Sequence, residues 1–314
     1  MSTHPATPDP AAPYAAHHLP ELPDGYTLAA MTPAEVAEVD DWAAAEGWNP
    51  GLADIGTAWA MDPLGLVALR GADGRMAGSG SIVSYEGRYG FLGLFIVRPD
   101  VRGRGLGAVL WPQLVQRLRL RLAPGAAIGI DGVFAMVPYY QRTGFAFTHR
   151  DLRFQGIARA QALSADALRE GATLVALDEV AFDDLAAYDR RHVPAPREQL
   201  LRGWISQPGA QALACLRGRG IAGYAVARPC RQGYKVGPLF ADSPAIAELL
   251  LAQLCTRLVG EQVQLDVPEP NAAGLALAAR FGWQEAFGCA RMVNGPAPQL
   301  PLQHIFGLTS FEFG

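Results

Sequence analysis

The sequence predicts an α/β protein that contains two tandem copies of one structural unit. Strand-like apolar runs alternate with helix-like segments, and a glycine-rich run at residues 102–107 joins a strand to a helix. The second half of the chain then repeats the element order of the first half. Such a repeat is typical of a tandem duplication, and a length of 314 residues suits two domains.

Local signals predict the elements of the first half in order. The segment Thr32-Pro33-Ala34-Glu35 begins a helix with proline at its first position, and Ala72-Asp73-Gly74 is a hairpin signal. Strands are predicted before the glycine-rich run at residues 26–28, 66–69, 76–85 and 91–97. After that run, the predicted elements are a helix at 108–122, a strand at 127–131, and a helix and turn at 139–145.

The second half carries a weaker copy of the same order. The hairpin signal Gly218-Arg219-Gly220 lies between two strand-like runs. The predicted strands are at residues 213–217, 223–228, 234–240 and 263–267, and the predicted helices are at 245–258 and 272–281.

The run Arg102-Gly103-Arg104-Gly105-Leu106-Gly107 has the composition of a phosphate-binding turn. Its glycines let the backbone approach a ligand closely, several N–H groups converge, and the dipole of the following helix adds positive potential. Two arginines inside the turn can meet a pyrophosphate or a 3′-phosphate. The run therefore predicts a site for a phosphorylated cofactor.

Three interpretations of this run compete. A kinase-type P-loop requires Lys followed by Ser or Thr after the last glycine, and neither is present. A dinucleotide-binding fingerprint matches Gly103, Gly105 and Ala108. Asp131 lies where a ribose-binding acid is expected, but residues 98–102 separate the strand from the first glycine.

The third interpretation is the pattern R-x-x-G-x-G, formed by Arg102, Gly105 and Gly107. With the preceding Val97-Arg98-Pro99, it resembles the pyrophosphate loop of the GNAT N-acetyltransferase superfamily. Further along, residues 140–145 match Y-x-x-x-G-F, which resembles the second signature of that superfamily. Two motifs in the family's order favour this interpretation for residues 25–155.

The resemblance implies that each unit is a mixed, mostly antiparallel sheet flanked by helices, and that acetyl-CoA is the co-substrate. In the family, splayed fourth and fifth strands hold the acetyl-pantetheine arm, and a tyrosine protonates the leaving thiolate. Tyr140 occupies the matching position. The residues thereby implied in cofactor binding are Phe95, Ile96, Val97, Arg102, Gly103, Arg104, Gly105, Leu106, Gly107, Ala108 and Tyr140.

The general base and the acceptor site are less well defined. Many family members carry a glutamate on or near the fourth strand, but Phe91–Val97 has none. We expect Asp131 to act as the base and to contact the acceptor, with capping of residues 132–137 as its alternative role. Glu86, on the loop before the fourth strand, is the second candidate, and a mechanism without a dedicated base also stays open. The other residues expected at the acceptor site are Trp48, Asn49, Asp266 and Glu269.

The second half resembles the degenerate second GNAT domain of two-domain bacterial acetyltransferases. Ala241-Asp242-Ser243-Pro244 stands where the arginine–glycine run would be, so no second phosphate site is expected. The resemblance extends to a terminal strand at residues 307–314. We therefore divide the chain into a flexible segment (1–24), a catalytic acetyl-CoA-binding domain (25–155) and a degenerate domain (165–314) that contributes to the acceptor site.

Composition and charge narrow the class of function. A net charge of −4 argues against a general nucleic-acid-binding surface, and no apolar run approaches the ~20 residues of a membrane span. The four cysteines have no metal or redox spacing, so no metal site is expected. Reduced thiols and CoA chemistry indicate the cytoplasm. The expected oligomeric state is a monomer or a homodimer.

These observations predict an acetyl-CoA-dependent N-acetyltransferase in which the primary amine of a small molecule attacks the thioester directly. Two alternatives stay open on the sequence alone. One is a non-catalytic acyl-CoA-binding sensor with the second domain as its output. The other is an NAD-dependent oxidoreductase in which Asp131 would hold a ribose.

Overall fold

The computed structural model describes residues 19–161, 166–167 and 171–314. Among these residues, thirteen strands form one continuous sheet and eight helices pack against it. No described helix combines the length and the apolar character needed to span a membrane. Most of the predicted N-terminal segment (1–18) and the predicted start of the second domain (165) lie outside the described residues.

The first half supplies six strands and four helices. The strands are β1 (Thr27–Ala30), β2 (Leu66–Arg70), β3 (Met76–Tyr85), β4 (Tyr89–Val97), β5 (Ala127–Val133) and β6 (Ala146–Ile157). The helices are α1 (Pro33–Ala45), α2 (Asp54–Met61), α3 (Leu106–Arg119) and α4 (Val137–Arg142).

The described residues of the second half supply seven strands and four helices. The strands are β7 (Ala172–Ala176), β8 (Gln211–Arg217), β9 (Gly220–Pro229), β10 (Tyr234–Ala241), β11 (Gln262–Pro268), β12 (Gln284–Asn294) and β13 (Ile305–Gly307). The helices are α5 (Phe182–Asp189), α6 (Glu198–Ile205), α7 (Pro244–Arg257) and α8 (Ala272–Arg280).

The two halves exchange strands within the sheet. The strand order is β1-β2-β3-β4-β5-β12-β6-β11-β10-β9-β8-β7, and β13 pairs with β10. Strand β12 of the second half lies between β5 and β6, and β6 of the first half lies between β12 and β11. The pairs β4–β5 and β10–β11 are parallel, and the remaining pairs are antiparallel. The mixed, mostly antiparallel arrangement that we predicted is thus present, and the exchange makes it continuous across both halves.

Three apolar cores hold the helices on this sheet. Helix α3 packs Leu110, Leu114 and Leu118 against β3 and β4, and α7 packs in the same way against β8, β9 and β10. The third core joins the halves, because it combines residues of β4 with Trp204 of α6 and Phe313 near the C-terminus. Each fully buried side chain of this size contributes roughly 1.5–3 kcal/mol. The shared core and the exchanged strands fix the two halves around the site described below.

Helix α1 begins as its sequence signal predicts. The Thr32 hydroxyl accepts a hydrogen bond from the Glu35 N–H, and the Glu35 carboxylate accepts one from the Thr32 N–H at 2.7 Å. Pro33 occupies the first turn, where its missing N–H costs nothing. This reciprocal cap satisfies two N–H groups that the helix itself leaves unpaired.

The predicted terminal strand at residues 307–314 is wrong beyond Gly307. Strand β13 ends there, and residues 308–314, called the C-terminal tail below, form a turn instead. The Ser310 hydroxyl accepts hydrogen bonds from the N–H groups of Glu312 (2.9 Å) and Phe313 (3.1 Å), which holds the turn closed. The tail is almost entirely buried and reaches β4 of the first half.

Candidate active site

A groove opens where β4 and β5 separate. These parallel strands pair only between Tyr89–Phe91 and Ala127–Gly129, and they diverge beyond that point. The groove has a volume of about 530 Å³. Its walls come from both diverging strands, the N-terminus of α3, α4, β12 and the C-terminal tail. Backbone groups of β4 and β5 that no longer pair with each other are therefore available to a ligand.

A bulge in β4 accompanies this divergence. Leu94 has a φ of +48°, in the left-handed region, and the pairing of β3 with β4 shifts register between Ser79 and Ser81. The Ser79 hydroxyl donates to the Leu94 carbonyl at 2.7 Å, and the Ser81 hydroxyl accepts from the Gly93 N–H at 3.0 Å. Such a conformation costs a residue other than glycine on the order of 1–3 kcal/mol. Two buried serines thus maintain a strained backbone at the groove, which is typical of a functional site.

The N-terminus of α3 forms one end of the groove. The residue that precedes the helix, Gly105, has a φ of +79°, and no side chain caps the helix. The first N–H groups of a helix lack partners within it, so these donors remain available to a ligand. A Cβ at Gly103 or Gly105 would project into open space. This end, which we call the phosphate end, therefore fits a phosphate group, and the positive end of the helix dipole also favours one.

Arg102 lies beside this turn with its guanidinium held by the protein. Its Nε donates to the Val97 carbonyl at 2.8 Å, and its Nη2 forms an ion pair with Glu46. Since 46% of the side chain is exposed, it can exchange Glu46 for a phosphate. Arg104 instead donates to the Asp100 carbonyl and does not line the groove. The other predicted cofactor residues all line it: Phe95, Ile96, Val97, Gly103, Gly105, Leu106, Gly107, Ala108 and Tyr140.

Tyr140 of α4 lies in the wall of the groove. Its ring packs against Trp111 of α3, with centroids 4.7 Å apart, and covers Gly132 of β5, where a Cβ would collide with it. Burial raises the pKa of the phenol well above its usual range, so the hydroxyl keeps its proton at neutral pH. Tyr139 lines the same groove. A protonated phenol in this position can serve as a proton donor.

Aromatic side chains from three distant parts of the chain also line the groove, and we call the part that they form the acceptor end. Trp48 follows α1, Phe287 lies in β12 and Phe311 lies in the C-terminal tail. The rings of Phe287 and Phe311 are 6.1 Å apart. Sequence reasoning anticipated Trp48 but missed the other two, because no local signal predicts that β12 and the tail cross into the first half. It missed Cys289 and Glu312, which also line the groove, for the same reason.

Asp131 reaches the groove from β5 but is bound to Arg291 of β12. Arg291 donates through Nε to Oδ1 at 2.6 Å and through Nη2 to Oδ2 at 2.7 Å, and the Asp131 side chain is 0% exposed. Burial raises the pKa of Asp131, against the attraction of Arg291 and with the repulsion of Asp151. A carboxylate with a guanidinium on both oxygens is poorly placed to take a proton from an amine. This pairing argues against the catalytic role expected for Asp131.

Three other residues expected at the acceptor site lie outside the groove. Asn49 is buried and donates two hydrogen bonds of 3.0 Å to residues of the second half. Asp266 is buried in an ion pair with Arg153, and Glu269 pairs with Arg150 at the surface. The structure therefore does not place these three side chains where they could touch the acceptor directly.

Comparison with known families places this site in a known fold. Residues 64–161 and residues 185–307 each match a family model described as an acetyltransferase (GNAT) domain. The chain belongs to the GNAT superfamily. The first GNAT match contains the glycine-rich turn, the splayed strands and Tyr140. GNAT domains in general use acyl-CoA.

Relatives extend over nearly the whole chain. A holothin acyltransferase of a Pseudoalteromonas species is 28% identical over 286 residues, which cover 90% of this chain and 93% of that protein. Among solved structures, a candidate acetyltransferase from Pyrococcus horikoshii has a TM-score of 0.77 at 20% identity, covering 96% of this chain and 100% of the other. A tandem GNAT protein from the clavulanic acid biosynthesis pathway has a TM-score of 0.62 at 16% identity, covering 87% and 99%. At these identities the two structures show the shared fold alone.

The second GNAT domain lacks the features that form the groove in the first. The Ser243 hydroxyl accepts from the Ile246 N–H, and Pro244 occupies the first turn, so the N-terminus of α7 is capped. Strands β10 and β11 pair only between Tyr234–Val236 and Val263–Leu265. Strand β13 pairs with β10 and contacts β11 in the region beyond. The cleft that is open in the first GNAT domain is therefore filled in the second, which is degenerate.

Proposed function

We propose that this chain is an acetyl-CoA-dependent N-acetyltransferase whose acceptor is the primary amine of a small molecule. The continuity of the groove carries the proposal. The groove runs from the uncapped N-terminus of α3, between the diverging strands β4 and β5, to the aromatic acceptor end. Direct acyl transfer from a thioester requires these three parts: a phosphate site, a channel with free backbone groups and a place for the acceptor.

Each part would have a distinct task. The N–H groups at the start of α3 would bind the pyrophosphate, with Arg102 released from Glu46 to join them. Unpaired backbone groups of β4 and β5 would hold the pantetheine arm and stabilise the oxyanion of the tetrahedral intermediate. Tyr140 would give its proton to the departing thiolate.

The acceptor end supports a small molecule rather than a protein side chain. It is lined by Trp48, Phe287 and Phe311, and the volume of the groove is in the range of small-molecule sites. One relative agrees with this choice, since it is named a holothin acyltransferase. We include an acetyl group on the co-substrate in the proposal because the GNAT family models that match this chain are described as acetyltransferases.

The two alternatives differ from this proposal in what they require. An NAD-dependent reaction would need Asp131 free to hold a ribose, but Arg291 occupies both of its oxygens. A non-catalytic sensor would bind acyl-CoA in the same groove without turnover. The experiment below is therefore designed to distinguish an enzyme from a sensor.

A library of primary amines tests the proposal, with acetyl-CoA as donor and detection of the released thiol. We expect free CoA and acetylated amine in equal amounts for at least one acceptor, identified by mass spectrometry. Gly105→Val, which obstructs the phosphate end, serves as the inactive control. Calorimetric binding of acetyl-CoA with no turnover of any amine would favour the sensor. Turnover with longer acyl-CoA alone would overturn the acetyl assignment.

We also propose a cytoplasmic location and a monomeric or homodimeric state. All four cysteines are buried free thiols, which suits a reducing compartment. Cell fractionation and light scattering test these two statements, and secretion of the native protein or a larger assembly would contradict them.

A further inference from the structure

We propose that Glu312, in the C-terminal tail, is the general base that removes a proton from the acceptor amine. The inference deepens the proposed N-acetyltransferase function and rests on it. It assigns a catalytic group of the first GNAT domain to the last residues of the degenerate second one.

Of the described residues that line the groove, three are carboxylic acids: Glu46, Asp131 and Glu312. Glu46 is ion-paired with Arg102 at the phosphate end. Asp131 gives both oxygens to Arg291. Glu312 forms no ion pair with a described residue, and its Oε2 accepts one hydrogen bond, from the Ser310 hydroxyl at 2.8 Å. Glu312 is therefore the acid of the three that can take a proton without breaking an ion pair.

The C-terminal tail holds Glu312 over the bulge of β4. The carbonyl oxygen of Glu312 lies against Gly93, where a Cβ would collide with it. The Tyr85 hydroxyl donates to the Phe313 carbonyl, which fixes the tail on the other side of Glu312. Glu312 lines the groove and is only 4% exposed, so its side chain is held within the protein rather than in bulk solvent. The fold thus supplies an acid next to the strand whose own sequence lacks one.

Charged or titratable groups of the sheet interact electrostatically with Glu312. Among them are the guanidinium of Arg153 from β6 and the thiol of Cys289 from β12. Arg153 is committed to Asp266 by two hydrogen bonds, so it attracts Glu312 without pairing with it. Burial raises the pKa of Cys289 well above its usual value, so the thiol does not compete as a base.

The proton and electron movements of the step balance. Glu312 takes one proton from the ammonium form of the acceptor. The neutral nitrogen then attacks the thioester carbon, a C–N bond forms, and the carbonyl electron pair moves to oxygen. The intermediate collapses, the C–S bond breaks, and the thiolate takes the proton of Tyr140. The excess proton of the nitrogen passes through water to the phenolate, Glu312 returns its proton to solvent, and the sum is ammonium plus thioester to amide, thiol and one proton.

Glu312→Gln tests the assignment because glutamine keeps the shape of the side chain and an oxygen for Ser310. With the acceptor from the amine library, we expect kcat to fall by ~10²–10⁴-fold while the acetyl-CoA dissociation constant stays within about twofold of wild type. The rate of the variant should rise about tenfold per pH unit towards the pKa of the amine, ~10, because solvent then deprotonates the acceptor. The rate of the wild type should stop rising at a lower pH, because Glu312 deprotonates the acceptor there. A purely structural role would not produce this rescue at high pH.

Two further variants make the outcome decisive. Glu285→Gln makes the same substitution at an exposed position of β12 and should match wild type. Glu312→Asp keeps a carboxylate one methylene further back, and we expect partial activity with the pH profile of wild type. Wild-type kinetics in Glu312→Gln would overturn the proposal in favour of a mechanism without a dedicated base.

Other results overturn it in a distinguishable way. Equal losses in Glu312→Asp and Glu312→Gln, with lower melting temperatures and no rescue at high pH, would make Glu312 a structural residue. If the wild type binds acetyl-CoA but acetylates no amine, the proposed function fails first, and this inference fails with it.

Discussion

The guanidinium of Arg153 donates two hydrogen bonds to the carboxylate of Asp266, Nε to Oδ1 at 2.6 Å and Nη2 to Oδ2 at 2.8 Å, and both side chains are 1% exposed. The same guanidinium donates to the Trp48 carbonyl at 2.6 Å. It also lies 4.8 Å from the ring centroid of Phe311 and 5.5 Å from that of Phe287. Arg153 thus contacts all three aromatic walls of the acceptor end, and Asp266 positions that end without touching the groove.

Asp266→Ala should destabilise the protein and weaken acceptor binding together. It leaves a buried guanidinium without its counter-charge, which costs about 3–5 kcal/mol. We expect this loss in the free energy of unfolding by urea denaturation. The acceptor KM should rise because Trp48 and Phe311 lose a fixed support, while acetyl-CoA affinity stays unchanged. Weaker acetyl-CoA binding with a normal acceptor KM would contradict this account.

The control for this prediction is Glu269→Gln, which removes an exposed partner of Arg150 and should change stability little.

The pH dependence of stability gives a second check on the pair of Arg153 and Asp266. Burial opposes the charge of Asp266, but the attraction and hydrogen bonds of Arg153 keep its pKa below the usual value. A lowered pKa in the folded state gives stability that is complete above the unfolded value, ~3.9, and is lost as pH falls through the folded one. The stabilities of wild type and Asp266→Asn should therefore converge in that acidic range.

Gly105→Val should abolish acetyl-CoA binding. Gly105 has a φ of +79°, which a β-branched residue rarely adopts, and the added side chain would occupy the open space beside the N–H groups of α3. Gly74→Val is the matched control, since Gly74 has a φ of +74° and an equally open surrounding in the hairpin between β2 and β3. Calorimetry should show no binding to the first variant and normal binding to the second. Equal losses in both would mean that backbone strain alone is responsible.

Arg102→Ala should weaken acetyl-CoA binding without preventing it. A charge-assisted hydrogen bond to phosphate contributes ~1.5–3 kcal/mol, which corresponds to roughly 10- to 150-fold in the dissociation constant. Glu46→Gln removes the carboxylate that competes with the phosphate for Arg102, so affinity should stay equal or increase. The prediction fails if calorimetry gives wild-type affinity for Arg102→Ala.

Several local features of the first half were predictable because their signals lie close together in sequence. The cap formed by Thr32 and Glu35 and the hairpin at Gly74 each depend on residues within a few positions of one another. The turn from Arg102 to Gly107 likewise joins a strand and a helix that are adjacent in sequence. Such features depend on residues that are close together in sequence, so they can be recognised without knowledge of the tertiary structure.

The acceptor end was not predictable because its contacts are remote in sequence. Asp131 reads as a free acid, but its partner Arg291 lies 160 residues away on a strand that crosses from the other half. The tail places Glu312 beside Ser81, 231 residues away. The strand expected at residues 307–314 rested on the family resemblance and not on a local signal. Hydrogen bonds to the hydroxyl of Ser310 close a turn there instead. No pattern along the chain predicts that β6 and β12 exchange places between the halves.

The protein should bind one acetyl-CoA per chain. The N-terminus of α7 is capped by Ser243, and β13 fills the cleft beside β10 and β11. Calorimetry should therefore give one site in wild type and none in Gly105→Val. Ser243→Ala removes the cap at a cost of about 1 kcal/mol and should create no second site, because β13 still occupies the cleft. Two sites per chain in wild type would show that the second domain keeps an acyl-CoA site.

Tyr140→Phe should slow catalysis without disturbing the fold. Phenylalanine keeps the ring packed on Trp111 and Gly132 but removes the proton, so kcat should fall by at least ~10²-fold while acetyl-CoA affinity and melting temperature stay near wild type. Because burial raises the pKa of Tyr140 well above the usual value of ~10, the wild-type phenol stays protonated across the neutral range. The loss should therefore be the same factor at every pH in that range. Tyr139→Phe is the control and should retain kcat. The opposite pattern, with Tyr139→Phe slow and Tyr140→Phe normal, would move the proton donor to Tyr139.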